Sequence, residues 1–232
     1  MRIKAQQMLD FHNVLIRPKR SSIASRSQVS LERKFTFPYA KGSWTGVPIM
    51  VANMDTTGTF EMHKALTKHK MLTALHKFYG PEDYKKHLES GSIDTEYCMI
   101  STGISDSDYE RFREIMDVVD SRWICIDIAN GYINKLVHFC AKVREDYPDK
   151  IIVAGNVATR EIVEELILEG HVDIVKVGIV PGSACLTRMK TGVGVPQLSA
   201  IMECGDAAHG VNGYIIGDGG ITCPGDMSKA FG

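Results

Sequence analysis

The chain has 232 residues, 44% hydrophobic and 24% charged, and 27 Lys and Arg against 28 Asp and Glu leave a formal net charge of −1. This balance excludes a disordered segment, which needs low hydrophobicity and high net charge, and a general nucleic-acid binder, which needs a basic excess. The longest apolar stretch, around Val47–Ala52, is too short to span a bilayer, and Met1-Arg2-Ile3-Lys4-Ala5-Gln6 lacks the apolar core of a secretory signal. A cytosolic protein without nucleic-acid or membrane partners is expected.

Apolar, β-prone runs recur at Val47–Met54, Met71–His76, Tyr97–Gly103, Trp123–Ala129, Lys150–Val157, Val172–Ile179 and Gly213–Gly219. They are apolar nearly throughout, as strands covered on both faces are. Segments of helical period lie between them. Tyr109, Phe112, Ile115, Met116 and Val119 form one stripe, with Ser105 as its expected N-cap and Asp108 three residues on. Ile133, Leu136, Val137, Cys140 and Val143 form a second. Ile162, Val163, Leu166 and Ile167 form a third, from Thr159 to a stop at Gly170.

The first six strands begin 22 to 27 residues apart, a spacing that suits repeated βα units and a parallel sheet. Small or polar residues close nearly every strand: Asn53-Met54-Asp55, His76-Lys77, Ser101-Thr102-Gly103, Asp127 to Gly131, Gly155-Asn156, Gly178 and Asp218-Gly219-Gly220. Polar groups at the carboxyl ends of successive strands are what the active face of a TIM (β/α)8 barrel requires, whereas a doubly wound sheet gathers them at one switch point. No GxGxxG follows the first strand, which disfavours a Rossmann domain. The expected architecture is therefore one barrel domain, with residues 1–46 as an N-terminal extension and 47–232 as the first seven βα units. The chain stops at Gly232, inside the helix expected after strand seven, and so reads as a barrel truncated at its C-terminus.

Six cysteines (98, 125, 140, 185, 204 and 223) stand singly, with no Cys-x-x-Cys pair and no His at metal-ligand spacing, so reduced and mostly buried thiols are expected. Cys185 differs in lying in a Gly- and Pro-shaped loop, Val177 to Arg188, where backbone amides and Arg188 favour a nucleophilic thiolate; alternatively it is a small loop residue. Asp218-Gly219-Gly220 leads toward Pro224 near a helix start. This suits a phosphate-binding turn with Asp218 accepting from a sugar hydroxyl, or simply a tight turn and cap. Asp127 is a ligand-binding carboxylate or the cap of the next helix. His76-Lys77 is an anion-binding pair or an exposed basic pair, and Arg17-Pro18-Lys19-Arg20 reads as a solvated face.

Several longer motifs resemble the GMP reductase branch of the IMP dehydrogenase/GMP reductase family. They are Val47 to Thr56 (VPIMVANMDT), Asp127 to Tyr132 (DIANGY), Ala154 to Val157 (AGNV), Pro181 to Cys185 (PGSAC), Lys190 to Gly194 (KTGVG) and Asp218 to Gly220 (DGG). The likeness runs through all 232 residues, and the chain passes through Lys77-Phe78-Tyr79 without the regulatory insertion usual in the dehydrogenase. The resemblance implies NADPH-dependent conversion of GMP to IMP and ammonia, with Cys185 attacking C2 of the purine to give a thioimidate and Thr187 assisting proton transfer. Asp218, Gly219 and Gly220 match GMP-binding positions. Ser25, Arg26, Lys77, Asp127, Ile128, Ala129, Ile179 and Val180 match NADPH-contacting positions, the first pair across a subunit boundary of a cytosolic homotetramer. Val180, Gly182, Cys185 and Arg188 match a monovalent-cation loop, pointing to potassium.

Two residues depart from the family pattern. Val180 stands where the family has glycine, so a positive φ there would strain a β-branched side chain. Leu186 replaces the first of two threonines, while Thr187 keeps the second. Two further readings stay open: an IMP dehydrogenase, and a catalytically silent nucleotide-binding or assembly subunit.

Overall fold

The computed structural model describes residues 7–182 and 185–232. Eight strands form one curled sheet in sequential order. They are β1 (Arg33–Thr36), β2 (Ser43–Val51), β3 (Met71–Leu75), β4 (Cys98–Thr102), β5 (Trp123–Asp127), β6 (Ile151–Val157), β7 (Ile174–Val177) and β8 (Tyr214–Gly217). Strands β2 to β8 pair in parallel, which gives the seven parallel strands expected of a partial TIM barrel. Eight helices accompany them: α1 (Phe60–Leu66), α2 (Pro81–Glu89), α3 (Asp106–Val118), α4 (Asn134–Asp146), α5 (Arg160–Leu168), α6 (Thr187–Thr191), α7 (Gln197–Gly210) and α8 (Pro224–Phe231).

The two-residue strand period divides the core into two layers. Ile124 and Ile126 of β5, Ile152 and Ala154 of β6, and Val175 and Val177 of β7 face outward onto helix stripes that include Phe112, Ile115, Leu136, Cys140, Val163 and Leu166. Their neighbours Trp123, Cys125, Ile151, Val153 and Ile174 face inward and form a separate cluster with Trp44, Leu72 and Met99. The helix stripes are those the sequence predicts, except that Ile133 is the N-cap of α4 and stays exposed, because the helix begins only at Asn134. Ser105 caps α3 by accepting from the Asp108 amide at 3.1 Å, and Pro224 occupies the first turn of α8.

Strand β1 is a departure from expectation, and so is the start of β2 at Ser43 rather than Val47. β1 runs antiparallel to β2, with Phe35 opposite Trp44. The segment Arg33-Lys34-Phe35-Thr36 carries no continuous apolar run, but its alternation continues through Phe37, and these two rings close the amino-terminal end of the curl. Phe35 stands edge-on to Tyr214 at 5.4 Å, and Phe37 edge-on to Trp123 at 5.7 Å. Below them Asp173 accepts from the backbone amides of Tyr39 and Ala40, both at 3.0 Å, and of Ile152 at 2.9 Å. The amino-terminal end is thus occupied by packing, leaving the carboxyl ends of the strands for chemistry.

Candidate active site

Strand β7 reads Ile174-Val175-Lys176-Val177, and the same alternation that turns Ile174 inward turns Lys176 inward. Its side chain is 2% exposed. The ammonium donates to Asp127 Oδ1 at 2.8 Å and Asn53 Oδ1 at 3.0 Å, and lies 3.3 Å from Asp218 Oδ2. Asn53 in turn donates to Asp127 Oδ2 at 3.0 Å. Asn156, at the irregular register of β6 against β7, donates to Asp218 Oδ2 at 2.7 Å and to the Gly178 carbonyl at 3.0 Å. Groups from the carboxyl ends of β2, β5 and β8 therefore meet on one buried cation from β7, and Asn156 of β6 braces the β8 carboxylate. Burial by itself would lower the Lys176 pKa. The Asp218 and Asp127 carboxylates outweigh burial and hold the ammonium protonated.

Asp127 is thus neither a helix cap nor a free carboxylate: it is held by Lys176 and Asn53. His76 corrects another expectation, because it is buried and stacked on Tyr79 at 3.8 Å rather than forming an exposed basic pair with Lys77. Lys77 faces Asp108 at 3.4 Å across the mouth of Gly103.

The other centre is the loop after β7. Gly178 is buried, and a Cβ there would stand 2.1 Å from the Asp218 carbonyl, so only glycine lets β7 and β8 end this close together. Gly219 and Gly220 have φ of +83° and +75°, successive left-handed residues that other side chains resist. Their backbone lies against Pro181, so the Asp218-Gly219-Gly220 turn and the cysteine loop form one packed unit. The buried Gln197 side chain fastens that unit from α7 by donating to the Val177 carbonyl at 2.8 Å and the Asp218 carbonyl at 3.1 Å.

Cys185 Sγ lies 3.4 Å from Thr187 Oγ1 at the start of α6. Hydrogen bonding to Thr187, first through its side chain and then through its backbone, with Arg188 assisting, lowers the Cys185 pKa. The four interior thiols behave in the opposite way. Burial pushes Cys125 and Cys204 up to about 12 and carries Cys98 and Cys140 higher still.

Val180 adopts φ +53°, so the strain expected of a β-branched residue at this position is present. Ile179 and Val180 lead into Pro181 and Gly182, and the Gly182 carbonyl accepts from the Cys185 amide at 3.0 Å. Ser183 and Ala184 lie outside the described residues. The Arg188 stem packs over Gly194, and its guanidinium approaches Asp10 at 3.9 Å, while Asp10 also accepts from the Gln197 amide at 2.8 Å. Ile128 continues β5 through pairing with Gly155 and Asn156, and Ala129 is exposed beside it.

The structure therefore brings Asp127 and Asp218 together, pairs Cys185 with Thr187, and sets Gly219 and Gly220 against Pro181 at the start of the cysteine loop. It leaves Ser25 and Arg26 apart, on an exposed 3-10 turn whose cap bonds stay within residues 24–28. Two contributors went unrecognised in the sequence. Lys176 had a visible signal, a charge inside a fully apolar strand, whereas Gln197 at a helix start had none.

Residues 8–232 match the family model described as IMP dehydrogenase / GMP reductase domain. The GMP reductase of Shigella boydii serotype 18 is 56% identical over 234 aligned residues, which cover all of this chain and 67% of that protein. The GMP reductases of Escherichia coli O81 and O157:H7 match at the same identity and coverage. No helix among the described residues is long and apolar enough to cross a membrane.

Proposed function

Because this chain belongs to the IMP dehydrogenase/GMP reductase family, we propose that it is a GMP reductase that converts GMP to IMP and ammonia with NADPH as reductant. The observation that carries this reading is a Cys185–Thr187 pair in the same loop whose Pro181 packs against the Asp218-Gly219-Gly220 turn.

Cys185 attacks C2 of the purine as a thiolate. The 2-amino group departs as ammonia, taking a proton passed at Thr187 Oγ1, and a thioimidate joins C2 to the sulfur. Splitting deamination from reduction in this way replaces one difficult step by two easier ones. NADPH, when bound, would supply the hydride that reduces C2; Cys185 then leaves C2 as the thiolate as the carbon–sulfur bond breaks, and IMP is released. Asp218 accepts from the ribose hydroxyls, and the Gly219 and Gly220 amides face the phosphate.

The residues assigned to the cofactor fit it chemically. The Asp127 side chain is 32% exposed, so carboxylate lone pairs not engaged by Lys176 and Asn53 accept its hydroxyl or amide donors. Lys77, Ile128, Ala129, Ile179 and Val180 complete that surface, with Ser25 and Arg26 supplied by a neighbouring copy in a homotetramer. The cation loop offers neutral carbonyl oxygens from Val180, Gly182, Cys185 and Arg188. Those of Gly182 and Arg188 each accept one backbone amide and keep a lone pair, a donor set suited to potassium rather than a transition metal. Four buried reduced thiols suit the cytosol.

The test is an assay of NADPH oxidation and ammonia release on addition of GMP, with Cys185→Ala as control. Equal, Cys185-dependent release of ammonia and NADP+ is expected. NAD reduction on IMP without ammonia would identify a dehydrogenase, and GMP binding without turnover a silent subunit.

A further inference from the structure

The Lys176 ammonium has three N–H donors and three neighbouring acceptors: Asp127 Oδ1, Asn53 Oδ1 and Asp218 Oδ2, at 2.8, 3.0 and 3.3 Å. It has no capacity left for a ligand and, at 2% side-chain exposure, no access to one. Its effect must pass through the groups it holds. Asp127 and Asp218 sit at the ends of β5 and β8, and both side chains remain partly exposed, at 32% and 22%. Each therefore turns one side to the lysine and the other to the mouth of the curl. The fold makes room for this arrangement at Gly155, where a Cβ would stand 2.6 Å from Lys176 Cβ.

We propose that Lys176 is a positioning residue shared by the two ligand sites, holding the Asp218 carboxylate for the nucleotide and the Asp127 carboxylate for the cofactor, so that a change at one site is felt at the other. The inference rests on the assignment of those two carboxylates to GMP and NADPH. A shared cation gives it a physical basis. Two carboxylates drawn to one ammonium compete for it, and a ligand that draws on one alters the hold on the other. Asn53 braces the outer Oδ2 of Asp127, while Asn156 shares Asp218 Oδ2 with the lysine, so neither carboxylate can swing to a new partner without breaking a second bond.

The experiment compares Lys176→Met, Asp127→Asn and Asp218→Asn in steady-state kinetics, with GMP binding measured separately by calorimetry without cofactor. Lys176→Met keeps the stem and removes the charge. It is expected to raise KM for both GMP and NADPH by about tenfold each while leaving kcat little changed. A residue that only filled the core would lower kcat with the amount of folded enzyme and would not raise both KM values together. Asp127→Asn leaves the ammonium charge to Asp218 alone and is expected to change GMP affinity about threefold in the absence of cofactor. This measurement stands even if Lys176→Met fails to fold.

Should Lys176→Met fold with both KM values unchanged, or Asp127→Asn leave GMP affinity unchanged, the proposal is overturned. Failure of the underlying site assignment looks different: Asp218→Asn would then leave the KM for GMP at its original value, whatever Lys176→Met does.

Discussion

At the amino-terminal end of the sheet the Arg144 guanidinium donates to Asp173 at 2.6 Å, with the carboxylate fully buried. The same carboxylate receives three backbone amides, from Tyr39, Ala40 and Ile152, so it ties α4, β6 and the exit of the β1–β2 hairpin to the foot of β7. Asp173→Ala leaves three amides without their acceptor and the buried Arg144 charge without its carboxylate, holding only carbonyls. A loss of about 3–5 kcal/mol is expected in urea unfolding, and a loss below 1 kcal/mol would show that the hairpin is held by its aromatic contacts alone.

Val180 at φ +53° is the reverse case, a residue whose replacement should stabilise. Left-handed backbone costs a β-branched residue about 1–3 kcal/mol, while glycine restores about 0.4–1 kcal/mol of unfolded-chain entropy. Val180→Gly is therefore expected to gain about 1 kcal/mol, seen as a higher midpoint of thermal unfolding. An unchanged or lower midpoint would mean that neighbouring packing already absorbs the strain.

The lowered pKa of Cys185 fixes the sign of its pH dependence. Its thiolate is populated at lower pH than that of an ordinary thiol, so alkylation by iodoacetamide should rise with pH along a curve displaced to the acid side. Thr187→Val removes the hydroxyl and should shift that curve toward higher pH, slowing the reaction a few-fold near neutrality. Coincident curves for the two proteins would remove Thr187 from the activation of the thiol.

Four of the six cysteines are buried, one is half-buried and one is exposed. A colorimetric thiol reagent should therefore titrate two thiols in the native protein, Cys185 and Cys223, and all six after denaturation. More than two rapid equivalents in native buffer would mean that the inner layers open readily.

Gly178→Ala probes the junction of β7 and β8. Its Cβ would fall 2.1 Å from the Asp218 carbonyl, a backbone atom that cannot turn aside. Forcing those strand ends apart should weaken GMP binding and destabilise the fold by about 1–3 kcal/mol. Retention of full affinity would separate the Asp218 turn from substrate binding.

The seven parallel strands, the stripes on α3, α4 and α5, and the cap at Ser105 were legible in the sequence because each rests on a local period or a short-range hydrogen bond. The Cys185 loop and the Asp218-Gly219-Gly220 turn were legible as motifs for a related reason: their glycines answer local backbone demands. Tertiary structure alone decided the rest. The sheet curls Asp127, Lys176 and Asp218 onto one point from positions 49 and 42 residues apart in the chain, and no local pattern records that meeting. It also decided that Phe35 and Phe37 close the far end, because four alternating residues bury nothing until a curled sheet is there to receive them. The lysine in an apolar strand was a visible anomaly, but its meaning lay in partners that only the fold supplies.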